Sequence, residues 1–199
     1  MNQILKTSCI LLALMTGITG CQTISKTTSK ATSKVGSWVG LGDKQPTVPE
    51  IDKKGVVDIS KTTLEQIQQL TINMPIGQWV YIENDLQGIY NLQNKSKSGH
   101  LLSLKLNCKI SSQKPTFNIQ DTAGKEILRA YDEQAGPVQF LLDNKNYGNP
   151  FNEINPKKIE IFKTDLKKTK VLKIFNASKL YTFQNDKSEL LDKPVSCKD

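Results

Sequence analysis

The chain has 199 residues, 27 Lys and Arg against 19 Asp and Glu, and a net charge of +8 at pH 7. That length sets one domain, with room for a tail. Arg129 is the only arginine and the lysines are spread along the chain, which argues against a reader of nucleic acid, since such proteins use clustered guanidinium forks. Dispersed lysine suits a solvated surface; attraction to anionic lipid or glycan is the other reading.

At the N-terminus Lys6 supplies a positive charge, and Ile10 to Ile18 forms an apolar run. The run is too short to span a bilayer as a stable helix. Small residues then lead into a cysteine, in the order Ile18-Thr19-Gly20-Cys21. This segment resembles the lipobox of bacterial lipoproteins. The resemblance implies that residues 1–20 are a signal peptide and that Cys21 becomes the first mature residue. It also implies three acyl chains on Cys21, palmitate among them, and stable anchoring takes two or more chains. The next residue is Gln22, not Asp. In a diderm host the family rule then implies transfer to the outer membrane, facing the periplasm, with cell-surface exposure left open. Loss of residues 1–20 leaves 179 residues and a net charge of +7, because Lys6 is the only charged residue removed.

Residues 21–60 read as the lipidated Cys and a flexible tether. Ser, Thr and Lys dominate Gln22 to Lys34, and Gly residues, Pro46 and Pro49 follow. Such a composition buries too little apolar surface to offset its ordering entropy. A second reading stays open. Lys26, Lys30 and Lys34 fall on one helical arc, and Ile24, Ala31, Val35 and Trp38 on another. That spacing fits a short helix lying in the membrane interface. As a coil, about forty residues reach roughly 30–40 Å.

Residues 61–199 read as a β-rich periplasmic domain. A short helix opens it, with Thr62 as N-cap, Glu65 completing a capping box, and Leu64, Ile67 and Leu70 as the apolar stripe. Pro75 and Gly77 end it. Strands are expected over Trp79–Ile82, Leu86–Leu92, His100–Ile110, Thr116–Gln120, Lys125–Tyr131, Val138–Leu142, Ile159–Lys163, Lys170–Phe175 and Leu180–Phe183. The clearest is His100–Ile110. There Leu102, Leu104, Leu106, Cys108 and Ile110 alternate with polar residues, the period of a strand with one buried face. Short strands separated by turn signals give the fold class: mainly β, a single antiparallel β-sandwich or small barrel with one short N-terminal helix.

Of the four cysteines, Cys9 leaves with the signal and Cys21 is taken by lipid. Cys108 and Cys197 remain, an even pair in an oxidising compartment, and a disulfide between them is expected. A metal site is not expected, because zinc needs about four ligands and His100 is the only histidine. No cofactor motif occurs.

Catalysis is not expected either. His100 lacks a G-x-S-x-G nucleophile elbow, and Asp132 and Glu133 would face opposite sides of a strand. The longest loop, Asp143 to Pro156, carries the best candidates for partner contact, Tyr147, Asn149 and Phe151, because loop aromatics bury area with few rotors. Lys167, Lys168, Lys170 and Lys173 form a basic run at an expected hairpin.

Two further similarities bear on function. Gly77-Gln78-Trp79, the Leu-rich strand ending near Cys108 and Pro115-Thr116-Phe117-Asn118-Ile119 are similar to the small periplasmic β domains associated with type VI secretion. Tyr181-Thr182-Phe183, Asp186-Lys187 and the terminal Cys197 are similar to lipid-anchored inhibitors of C-type lysozyme. That family's Ser-Gly-x-x-Tyr loop is missing, so no inhibitory residue carries over. The expectation is a lipid-anchored, non-enzymatic envelope protein, an adaptor or accessory subunit of a cell-envelope or secretion complex. The alternative is a periplasmic ligand-binding or lysozyme-inhibitor-like module.

Overall fold

The computed structural model describes residues 47–132, 136–152, 156–177 and 179–197. The lipobox and the 22–45 segment, including Trp38, lie outside the described residues. Within them the chain builds two β-sheets and two α-helices, so the mainly-β, sandwich-like reading holds.

The first sheet takes the strands in chain order: β1 (Val56–Asp58), β2 (Trp79–Asn84), β3 (Ile89–Lys95), β4 (Leu101–Lys105), β5 (Thr116–Gln120) and β6 (Glu126–Arg129). Its neighbours are antiparallel except β1 and β2, which pair in parallel with Val57 opposite Ile82. The long crossover that a parallel pair requires is α1 (Leu64–Asn73). The second sheet has the order β10-β9-β7-β8, from β7 (Val138–Leu142), β8 (Lys145–Asn146), β9 (Val171–Asn176) and β10 (Lys179–Gln184). Helix α2 (Pro156–Leu166) lies between β8 and β9 in the chain. A 3-10 turn at Ser188–Asp192 precedes the C-terminus.

Period-two burial makes the core. Leu102 and Leu104 of β4, Phe117 and Ile119 of β5, Phe140 of β7, Leu172 and Ile174 of β9, and Phe183 of β10 are all fully buried in one cluster. Phe162 and Leu166 of α2 join it. The rings of Phe117 and Phe162 stand edge-on to Phe140 at 4.9 and 5.4 Å between centroids, a favoured aromatic geometry. A second cluster lies on the other side of β2, where Val80 and Ile82 meet Val57, Leu70 and Met74. Strand β2 is therefore buried on both faces, which explains its near-continuous apolar run.

The sheets are joined where Trp79 N donates to Asp186 O and Asp186 N donates to Gly77 O, at 2.9 and 3.1 Å. Gly77 has φ +83°, and a Cβ there would lie 3.0 Å from Gln184 Cβ. Both features require glycine. Beneath this join, buried Asn185 accepts from Trp79 Nε1 at 2.6 Å and donates to the Leu166 and Thr169 carbonyls at 2.7 Å each. One side chain so links the first sheet to the end of α2.

Five expectations need correction. Ile159–Lys163 is helix, not strand: Pro156 takes the first helical position, where its missing N–H costs nothing, and Ile159, Phe162 and Leu166 share the inward arc. The domain therefore has a second helix. Its start is also earlier than residue 61. Ile51, Val56, Val57 and Ile59 all pack into the two clusters, so residues 47–60 belong to the fold rather than to a tether. The 100–110 strand stops at Lys105, and Ile110 is 56% exposed. Finally, the 143–156 loop begins as a tight hairpin. Asp143 and Asn144 have φ of 44° and 72°, the left-handed pair that two-residue hairpins favour. At the first helix the N-cap is Thr63, with Gln66 closing the capping box, one residue beyond the expected position.

Tyr81 gives the fold a pH signature. Its hydroxyl donates to Pro194 O at 2.6 Å, and burial pushes its pKa from near 10 to about 12. The folded state keeps this proton after the unfolded chain has lost it, so stability falls as pH rises from 10 towards 12. Urea denaturation of the wild type and Tyr81→Phe across that window should show the difference between them shrinking with pH. A constant difference would mean that Tyr81 ionises alike in both states.

Candidate functional site

The Cys108–Cys197 disulfide is present, bridging residues 89 apart in sequence. It closes a corner where the chain after β4 meets the C-terminal segment. Lys109 N donates to Val195 O and Val195 N to Asn107 O, at 2.8 and 2.7 Å. Asn107 Nδ2 donates to Leu191 O, and Gln113 Oε1 accepts from Cys197 N. These bonds fix a rim of otherwise irregular backbone.

Beside this corner lies a cavity of about 550 Å³, within the ~300–1,000 Å³ usual for small-molecule sites. The connection between β4 and β5 supplies Leu106, Cys108, Ser111, Lys114 and Pro115 to its wall. Tyr131 stands after β6, Pro150 and Phe151 come from the loop before α2, and Ile159, Glu160 and Lys163 come from α2 itself. Asp192 and Pro194 complete the lining from the C-terminal segment.

Tyr131 is conformationally unusual. Its φ is 63°, a region that bulky residues rarely occupy and that surrounding structure must impose. Its hydroxyl donates to Pro115 O at 3.1 Å, which holds the half-exposed ring at the cavity wall. Burial raises its pKa above the ordinary tyrosine value. On α2, Lys163 Nζ donates to Glu160 Oε1 at 2.9 Å, the lysine being much the more buried of the two. Asp192 pairs with Lys167 at 2.6 Å.

The three loop residues expected at a partner contact go to different places. Phe151 is 3% exposed, enclosed by Phe117, Phe140 and Phe162; it reaches the cavity from the core side and is not an outward anchor. Tyr147 is half-buried, its hydroxyl donating to Asp165 Oδ2 at 2.6 Å. Asn149 turns back on its own loop, accepting from Phe151 N. The residues do not share an outward surface.

Ser98 Oγ lies 2.8 Å from His100 Nδ1 within the β3–β4 turn, and Ser96 Oγ continues the chain of hydrogen bonds. The imidazole packs edge-on against Tyr181. Among the described residues no carboxylate completes a triad there. The basic run from Lys167 to Lys173 lies on the turn from α2 into β9 rather than on a hairpin. Among the described residues no group of three His, Cys, Asp or Glu side chains is placed to hold a metal, and no helix is long and apolar enough to cross a membrane.

Residues 77–190, more than half the chain, match the YfjT family. The chain belongs to that family. The match begins at Gly77, where the two sheets join, and ends within the 3-10 turn. It thus takes in β2 to β10, α2 and most of the cavity wall, while the Asp192–Pro194 side and Cys197 lie beyond it. No curated protein and no solved structure is similar to the chain.

Proposed function

We propose that this protein is a lipid-anchored, non-enzymatic binding module of the bacterial cell envelope, which takes a small ligand in the cavity beside the disulfide. The cavity carries this reading. Its walls combine apolar side chains with a few charged ones, the mixture that ligand sites use for burial and orientation. A structural disulfide suits an oxidising compartment. With the lipobox, this supports a protein held at the outer membrane through acyl chains on Cys21 and facing the periplasm.

The test is to purify the protein gently from its native envelope and identify co-purifying small molecules by mass spectrometry. Wild type should carry a ligand. Ile159→Trp, which fills the cavity from α2, should lose it while keeping the wild-type melting curve. Ser111→Trp fills it from the connection between β4 and β5 and serves if the first variant misfolds. Equal ligand content in wild type and a folded, filled variant would remove the cavity from function.

The second reading is an accessory subunit of a cell-envelope or secretion complex. It is favoured by the outer face of the second sheet, where Leu180 of β10 sits opposite Phe175 of β9 and is 55% exposed. Crosslinking native membranes before the same purification would bring down a stoichiometric envelope protein if this reading holds.

A further inference from the structure

We infer that the cavity takes an anionic amphiphile, an apolar body with one carboxylate-type head, the class to which fatty acids belong. This rests on the ligand-binding reading above. Leu106, Pro115, Phe151 and Ile159 offer walls that a hydrocarbon or aromatic body would cover. The charges are what select the head. Among the described residues, four charged side chains line the cavity: Lys114, Glu160, Lys163 and Asp192.

Three of these are already engaged. Glu160 and Lys163 neutralise each other, and Asp192 is held by Lys167 from outside the lining. Lys114 is left with no hydrogen-bond or ion-pair partner among the described residues, on an exposed stretch directly before Pro115. The described part of the lining therefore presents one uncompensated positive charge, Lys114, beside an apolar hollow. An anionic head placed at Lys114 gains a charge-assisted hydrogen bond while its body displaces water from the walls. A neutral ligand gains only the second term, and a cationic one meets repulsion.

Two dyes with nearly the same aromatic body separate these terms. Anilinonaphthalene sulfonate carries an anionic head; phenylnaphthylamine carries none. Each is titrated by fluorescence into the full chain carrying Cys21→Ser, so that no acyl chain competes for the dye. The sulfonate should bind about tenfold tighter, the size of one charge-assisted contact at a partly open site. Lys114→Gln should bring it to the level of the neutral dye and flatten its dependence on salt. Ile159→Trp should weaken both.

Equal affinity for the two dyes, with both blocked by Ile159→Trp, would overturn the anionic inference and leave the cavity reading standing. A preference for the sulfonate that survives Lys114→Gln would also overturn it. Binding of neither dye, or binding indifferent to Ile159→Trp, would remove the cavity reading and the inference together.

Discussion

The double substitution Cys108→Ala, Cys197→Ala should lower unfolding stability by about 4–5 kcal/mol. The bridge closes a loop across an 89-residue separation. Closing so long a loop removes much of the unfolded chain's freedom, and that lost freedom is what the variant regains. The measurement is urea denaturation under non-reducing conditions, with reduced wild type as a second sample. Both should shift to lower midpoints by the same amount. A shift worth less than about 1 kcal/mol would mean that the corner is held by its backbone bonds and that residual structure already confines the unfolded chain. The effect should also be local: Val195, Asn107 and Gln113 lose their anchor, so the cavity rim loosens even where the domain stays folded.

Asn185→Ala should cost about 3–5 kcal/mol, an unusually large loss for a polar residue. Its side chain serves three buried partners, the Trp79 indole and the carbonyls of Leu166 and Thr169. Truncation leaves all three without a partner in a site too dry to replace them cheaply. Asn185→Asp is the informative companion. It keeps the acceptor for Trp79 but turns a carboxylate towards two carbonyl oxygens, so it should be destabilised about as much, and should recover partly as pH falls and the acid is protonated. Thermal melts at neutral and acidic pH would show this. If Asn185→Ala melts within a few degrees of wild type, the join between the sheets is held by apolar packing alone.

Part of the first sheet is legible in the sequence, because alternation survives in Leu102 to Leu106 and Phe117 to Ile119. Cys108 and Cys197 are legible by counting. The failures share a physical cause. Ile159-Glu160-Ile161 alternates like a strand, but the deciding signal is Pro156 with Ile159, Phe162 and Leu166 at helical spacing. Ile161 points outward at no cost to the core. Residues 47–60 have a linker's composition, yet Val57 finds a pocket between β2 and α1 that only the tertiary fold creates. Thr63 rather than Thr62 caps the helix because either threonine could serve, and the reach of Gln66 decides. The cavity could not be read at all. Its walls come from five separate stretches of chain, and none carries a motif of its own. Tyr131 gives the one retrospective hint, an exposed aromatic beside acidic residues, and nothing in its sequence shows the left-handed backbone it adopts.

The placement of the disulfide has a further consequence for how the chain withstands proteolysis. Every residue of the second sheet, with α2, β5 and β6, lies between Cys108 and Cys197 in the chain. A single peptide-bond cleavage anywhere in that span therefore yields two pieces that remain covalently joined. The fragments also stay held by the common core, where residues on both sides of any such cut interlock. Nicked protein would migrate as an intact chain until reduced. The N-terminal part of the chain would keep hold of the whole domain after damage that would otherwise release half of it.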